Sequence, residues 1–427
     1  MSRIFVDFNS ETGPVKPLHA VNNGPLKQGL MCRVGNFEDF CAAGIPYVRN
    51  HDASLCHDYG GEHTVDVHAI FPDFDADEKD PASYDFIITD TLMADTVSSG
   101  AEVFYRLGTK IEHLPKHYGT LPPKDYAKWA RIAEHIIRHY TEGWADGFNY
   151  KVTYWEIWNE PDMNEETWGG TREEYFEFYS VAATHLKSCF PHLKFGGPAL
   201  SSSRIWPIRF LDYIKERRAP LDFFSWHVYG CTLDKFLDRT AYIRQILDDG
   251  GFEKAESICN EWNYIEGWSG EDFIRSAEAI HGMRGAAFTA AFMLWAQSSS
   301  IDMLMYYDAR PSVYNGLFDY YTQRKLKGYY PFYMFNVLYR MGTACPVEVP
   351  DGICAAAARG EDGYALMAAN FGEESREITL DLAGGAESYE LILLSDSYDA
   401  EVIGHIRNGK TVFMPAMSVI LIRSIEK

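Results

Sequence analysis

Basic residues are scarce in this chain of 427 residues: 39 Lys and Arg face 61 Asp and Glu, for a formal net charge of −22. So acidic a surface repels phosphate backbones and anionic headgroups, which argues against nucleic acid and membrane surfaces as partners and disfavours an anionic substrate. The eight cysteines include no Cys-x-x-Cys and none of the close pairs of a zinc ribbon. They are expected to be reduced and mostly buried. No Asn-x-Ser/Thr occurs, so no N-glycan acceptor is present. The opening MSRIFVDFNSETG has no basic segment followed by an apolar run, and no secretory signal is expected. The longest weakly polar run, GAAFTAAFMLWA (Gly285 to Ala296), is too short to span a bilayer. Together these absences predict a cytoplasmic protein.

Aromatic residues, by contrast, are abundant at 15%, with 27 Tyr, 26 Phe and 10 Trp. Much of this belongs in a core, but rings also stack on the apolar faces of sugars. Strand-like runs alternate with helical patterns. Strands are predicted at PLHAVNNGP (Pro17 to Pro25), IPYVRNHD (Ile45 to Asp52), AEVFYRLG (Ala101 to Gly108) and VTYWEIWNEP (Val152 to Pro161). Four more follow at KFGGPAL (Lys194 to Leu200), LDFFSWHVYG (Leu221 to Gly230), ESICNEWNY (Glu256 to Tyr264) and IDMLMYYDAR (Ile301 to Arg310). Between them, PKDYAKWARIAEHIIRHYTEG places Trp129, Ile132, Ala133, Ile136 and Ile137 at helical spacing.

Strands alternating with helices in this way predict an α/β protein, a (β/α)8 TIM barrel over residues 12–341. From residue 342 to 427 the helical period disappears. GYALMAAN, SREITLDLA and SYELILLS predict a C-terminal all-β sandwich, joined by an N-terminal strand at 3–9. The aromatic run GYYPFYMFNVLYRMG suits a domain or subunit interface, which leaves a homo-oligomer open.

Chemistry in such a barrel gathers at the C-terminal ends of the strands. Glu160 ends the fourth predicted strand and Glu261 lies at the end of the seventh, each preceded by an Asn. Neighbouring strand residues point to opposite faces, so Asn159 and Glu160 reach one site only where the strand twists or stops, which Pro161 favours. One Asn-Glu pair would be an ordinary loop. Two pairs, WNEP and CNEW, on opposed strands place two carboxylates across the barrel mouth, as glycosidic cleavage requires.

These segments resemble glycoside hydrolase family 39. EIWNEPD is the most specific match, IPYVRNHD resembles the family's second strand with His51, and DFFSWHVYG resembles its sixth with His227 and Tyr229. The resemblance covers the barrel and extends to the β tail. It implies a retaining glycosidase with Glu160 as acid/base and Glu261 as nucleophile. It further implies that Asn159 holds the sugar 2-hydroxyl, that Tyr229 hydrogen-bonds the nucleophile, and that no cofactor or metal is needed. Asp52 is expected beside His51 at the base of the pocket, and exo action is implied by the family alone.

The chain also departs from a single branch. Gly267 and Trp268, shortly after the nucleophile, are similar to the α-L-iduronidase branch. That branch carries a Lys for the uronate carboxylate where this chain has Tyr229, as the β-xylosidase branch does. An unpaired carboxylate in a dry pocket is costly. Arg310 could replace the cation, but Asp308 beside it would partly cancel the charge. The expected substrate is therefore an oligosaccharide or glycoside ending in a neutral sugar: β-D-xylose first, then α-L-arabinopyranose or a β-hexose. Asp308 is expected to accept from its hydroxyls, and Trp268 and Tyr307 to line the subsite. The alternatives are an iduronidase-like uronidase, a transglycosylase using the same residues, or a catalytically silent sugar-binding barrel.

Three patterns mislead. The loop RNHDASLCHDYGGEHTVDVH is rich in His and Asp without metal-site spacing, and reads as a polar wall of the pocket. GHIRNGKT (Gly404 to Thr411) matches a phosphate-loop pattern but precedes a β pattern, so Asn408-Gly409 is expected to turn a hairpin. His135 and His139 lie four apart on a helix without the Glu of a metalloprotease motif, and are expected on its outer surface.

Overall fold

A computed structural model describes residues 2–28, 35–52, 64–113, 115–312 and 314–425. Eight parallel strands close into a barrel: β1 (Ala20–Asn22), β2 (Tyr47–Arg49), β3 (Glu102–Leu107), β4 (Tyr154–Ile157), β5 (Lys194–Leu200), β6 (Phe223–Gly230), β7 (Glu256–Tyr264) and β8 (Met303–Tyr306). β8 pairs with β1 to complete the ring. Each strand faces the barrel axis with one side and the helices with the other, so its side chains sort by a period of two. Ala20, Phe104, Tyr154, Phe223, Ile258, Met303 and Met305 fill the interior as an apolar plug. Trp155, Tyr105, Trp226 and Ile157 point outward into the core between sheet and helices.

Two residues along from the plug, the interior turns polar. Arg49, Arg106, Glu156, Ser225 and Asn260 are fully buried there. The helices around the barrel carry the expected end signals. Asp125 caps Tyr126–Glu142 by accepting from the Lys128 amide at 3.0 Å, and Gly143 ends it at φ 73°. Among the described residues no helix is long and apolar enough to cross a membrane.

Beyond the barrel lie two sheets. The four-stranded one contains Ser2–Asp7, which runs parallel to Arg376–Ala383. The seven-stranded one has both faces buried. Leu366, Ala368, Ile420 and Ile422 meet the smaller sheet, while Met367, Ala369, Val419 and Leu421 join the barrel's core. The aromatic run before the tail forms the helix Tyr330–Met341, whose Phe332, Phe335 and Leu338 share that same core. It therefore serves the junction between barrel and sheets. Gly13–Pro14 pairs with the tail strand Thr343–Cys345, so the chain leaves the seven-stranded sheet before it enters the barrel.

Two local expectations are corrected. Asn408-Gly409 does turn the chain, with Gly409 at φ 77°, but the strands on either side belong to different sheets, so the turn is a crossover and not a hairpin. His139 is buried, not on the outer surface: it stacks on Phe86 and lies 2.9 Å from Asp90 Oδ1.

Candidate active site

Two backbone irregularities deliver the two glutamates. At the end of β4, Trp158 has φ 77° and Glu160 φ 47°, left-handed values uncommon outside glycine. Trp158 turns out into the core, its indole donating to the Thr167 carbonyl at 2.7 Å, while Asn159 and Glu160 are carried to the mouth. Gly108, at φ 129°, makes room: a Cβ there would lie 2.8 Å from the Trp158 ring. At β7 the device is a bulge. Trp226 pairs with Cys259 but His227 pairs with Glu261, leaving Asn260 as the extra residue. Cys259 and Trp262 both face outward, and Asn260 and Glu261 between them reach contacts inside the barrel.

Arg49 connects the site. Its Nε donates to Glu156 Oε2 at 2.7 Å, Nη1 to Glu261 Oε1 at 2.7 Å and to Asn22 Oδ1 at 2.9 Å, and Nη2 to Asn159 Oδ1 at 2.6 Å. Glu156 is braced on its other oxygen by Asn260 Nδ2 at 2.5 Å. The second oxygen of Glu261 accepts from the Tyr229 hydroxyl at 2.8 Å. Both oxygens of Glu261 therefore have donors, one of them a cation. Burial still pushes its carboxyl above the usual range, against His227, Arg49 and the Tyr229 bond.

Among the described residues, no Lys or Arg is in hydrogen-bond contact with the Glu160 carboxyl. Its Oε1 lies 2.7 Å from His227 Nδ1, and burial, with Asp162 adding repulsion, pushes its carboxyl up to about 8. Burial lowers His227 to about 4. Near neutral pH the pair is an uncharged acid against an uncharged imidazole, with the Glu160 O–H donating to Nδ1. One ligand atom each from Glu160, His227 and Glu261 lie within 4.8 Å of one another.

Two buried donors in the site have no partner among the described residues: Asn159 Nδ2 and His227 Nε2. Burying an unsatisfied donor costs roughly 1–3 kcal/mol, which a bound acceptor would recover. His51 is fixed from the opposite side. Arg106 Nε donates to its Nδ1 at 3.2 Å and Nη2 to its carbonyl at 2.7 Å, which leaves the ring hydrogen on Nε2, 3.8 Å from Glu261 Oε1. Arg106 is held in turn by Asp66 at 2.6 Å.

The remaining expected residues divide. Tyr307 donates to the Asp52 carboxylate, and its ring lies 6.5 Å from that of Tyr229. Trp268 stands at the rim, 62% exposed, edge-on to Tyr229 at 5.0 Å. Gly267 packs against Asp272. Asp308 is fully buried, with Oδ2 accepting from Asn23 Nδ2 at 2.5 Å and Oδ1 from Asn315 Nδ2. Arg310 lies 3.5 Å from Asp308 and donates to the Asp52 carbonyl at 3.2 Å, so it is committed to these two acids. His57, Asp58 and His63 of the polar loop lie outside the described residues.

Sequence reasoning passed over Arg49, Glu156, Arg106 and Asn260. The signal was available: a lone charge inside an otherwise apolar strand, as in YVR, FYRL and YWEI, is almost never buried without a partner.

Residues 19–255, more than half of the chain, match the family model of glycosyl hydrolases family 39. A β-xylosidase of Geobacillus stearothermophilus is 31% identical over 195 residues, which is 44% of this chain and 36% of that enzyme. The chain thus aligns with about a third of the length of this relative. In overall structure the chain is similar to a glucosidase from Croceicoccus marinus, with a TM-score of 0.82, 23% identity and coverage of 100% of this chain and 99% of that one. It is also similar to a monomeric β-xylosidase from Caulobacter crescentus CB15, with a TM-score of 0.73, 16% identity and 99% coverage of both chains. These two likenesses are of fold.

Proposed function

The chain belongs to glycosyl hydrolases family 39, and on that premise we propose that it is a retaining, exo-acting glycosidase that releases one terminal neutral sugar. The observation that carries this reading is the contrast between two facing carboxylates: Glu261 bonded to Arg49 and Tyr229, and Glu160, whose carboxyl among the described residues is bonded to the His227 imidazole.

Glu160 enters the reaction protonated and gives its proton to the glycosidic oxygen as that bond breaks. Glu261 Oε attacks the anomeric carbon, forming a glycosyl ester while the aglycone leaves as its alcohol. Glu160, now a carboxylate, takes a proton from water, whose oxygen attacks the same carbon and frees Glu261. Two inversions give net retention. Oxygen and nitrogen atoms within 4.8 Å favour this route, because retaining enzymes hold their carboxyls about 5–5.5 Å apart and inverting ones about 6.5–9.5 Å. Asn159 Nδ2, unpartnered among the described residues with its oxygen tied to Arg49, is the donor proposed for the sugar 2-hydroxyl.

A neutral sugar is favoured because Arg310 contacts both Asp52 and Asp308, whose charges offset its own. β-D-xylose is the first choice, in keeping with the similarity to β-xylosidases; α-L-arabinopyranose and a β-hexose follow. The test is a panel of aryl glycosides carrying β-xylose, α-L-arabinopyranose, β-galactose, β-glucose and α-L-iduronate, with the anomer of the first-formed sugar read by NMR. Turnover of one neutral glycoside with retention is expected. Preference for the iduronide, or an inverted product, would overturn the reading.

A further inference from the structure

Away from the barrel mouth, a second group of side chains has the composition of a metal site. Glu134 lies on the helix Tyr126–Glu142, which precedes β4. His185 and Cys189 lie one turn apart on Arg172–Cys189, which follows it. Each offers one ligand atom, and these atoms all lie within 4.8 Å of one another. His185 Nε2 is the common centre, 2.7 Å from Glu134 Oε2 and 3.8 Å from Cys189 Sγ.

We propose that Glu134, His185 and Cys189 bind a borderline-soft divalent metal ion, Zn2+ by donor set, which clamps the helices on either side of β4. Three features favour it. Nitrogen, thiolate sulfur and carboxylate oxygen are the donors zinc takes, and a His and a Cys four residues apart present their ligand atoms on one helical face. Around a tetrahedral ion at about 2.0–2.3 Å from each donor, ligand atoms sit about 3.3–3.5 Å apart. The Nε2 to Sγ distance is close to this already, and the carboxylate has only to draw back by less than about 1 Å. Finally, Cys189 ends its helix and His185 lies one turn before it, close to the C-terminal end where the backbone carbonyls favour a cation.

The second shell is also present. Arg138 Nε donates to Glu134 Oε1 at 2.9 Å, which orients the carboxylate and leaves Oε2 turned to His185. All three ligands are only partly buried, so a hydrated ion can reach them. On binding, the thiol proton of Cys189 goes to solvent, and any proton on His185 Nε2 leaves with it. Water completes the coordination. The positive charge of Arg138 works against the ion, so the clamp is expected to be weaker than a four-ligand structural zinc site.

Cobalt(II) is the probe, because its thiolate complexes show a near-ultraviolet charge-transfer band. The catalytic trio Glu160, His227 and Glu261 contains no sulfur and cannot produce that band. Titration of the full chain is expected to give one thiolate-bound cobalt per chain, displaced by zinc. The band should vanish in Cys189→Ser, and the affinity should fall about tenfold or more in His185→Gln. Zinc should raise the melting temperature of the wild type by about 1–3 °C and leave Cys189→Ser unmoved. No band at saturating cobalt, or the same band in Cys189→Ser, would overturn the proposal.

Discussion

The C-terminal ends of β4 and β7 perform parallel tasks by different means. Each delivers a glutamate after an asparagine to the same mouth. β4 does so by leaving the strand conformation through left-handed residues at Trp158 and Glu160, whereas β7 stays a strand and inserts Asn260 as a bulge. The surroundings diverge further. Glu261 arrives against Arg49 and the Tyr229 hydroxyl, which favour its charge, while Glu160 arrives beside His227 and within the field of Asp162, which do not. One residue type in one cavity thus meets two electrostatic surroundings, and burial, which raises both carboxyls, would not by itself distinguish them.

That contrast can be broken from either side. The largest effect is expected from Glu261→Ala, which removes the proposed nucleophile and should lower kcat on the preferred aryl glycoside by about 10⁴-fold or more. Next comes Arg49→Met, which leaves the Glu156 and Glu261 carboxylates buried without their cation. Denaturant unfolding should show a loss of about 3–5 kcal/mol. Retention of wild-type stability would mean that Arg49 does not hold the interior together.

A smaller change sharpens the comparison. Tyr229→Phe deletes one donor to Glu261, and kcat should fall by about 10²-fold. The lost bond stabilised the carboxylate, so the acidic limb of the pH profile of kcat/KM should move to higher pH. A limb that stays in place would separate Tyr229 from the ionisation of Glu261.

The last prediction concerns Glu160. Its folded-state pKa of about 8 lies above the unfolded value of 4.5, so the folded chain binds this proton more tightly. Stability attached to it is present below pH 4.5 and is lost as pH climbs through about 8. The melting temperature of Glu160→Gln should therefore gain on that of the wild type between pH 5 and pH 8, an interval that spans most of this window. In the wild type, kcat/KM should decline above about pH 8 if Glu160 is the proposed acid and loses its proton there. Parallel melting curves at all pH values would contradict the raised pKa.

Much of this was legible in the sequence, and the remainder failed for identifiable reasons. KFGGPAL and ESICNEWNY are strands over their full predicted lengths, because β-favouring runs bounded by turns leave little choice. Asn159, Glu160, Glu261 and Tyr229 meet because strand ends in a barrel converge. The Arg49 network could not be read as a network, since each partner lies on a different strand and only closure brings them together. The bulge at Asn260 was hidden because an extra residue in one strand shows only against its neighbours. The depth of Asp308 was hidden as well, because it depends on Asn23 and Asn315, residues from two separate loops.

The most direct measurement is the anomeric configuration of the glycosyl azide formed when azide rescues Glu160→Ala and Glu261→Ala on an activated aryl glycoside. With Glu160 removed, the ester to Glu261 still forms, and azide should attack it to give the substrate's own configuration. With Glu261 removed, azide enters the vacated face and should give the opposite one. The same configuration from both variants, or the reverse assignment, would contradict the division of roles between the two glutamates.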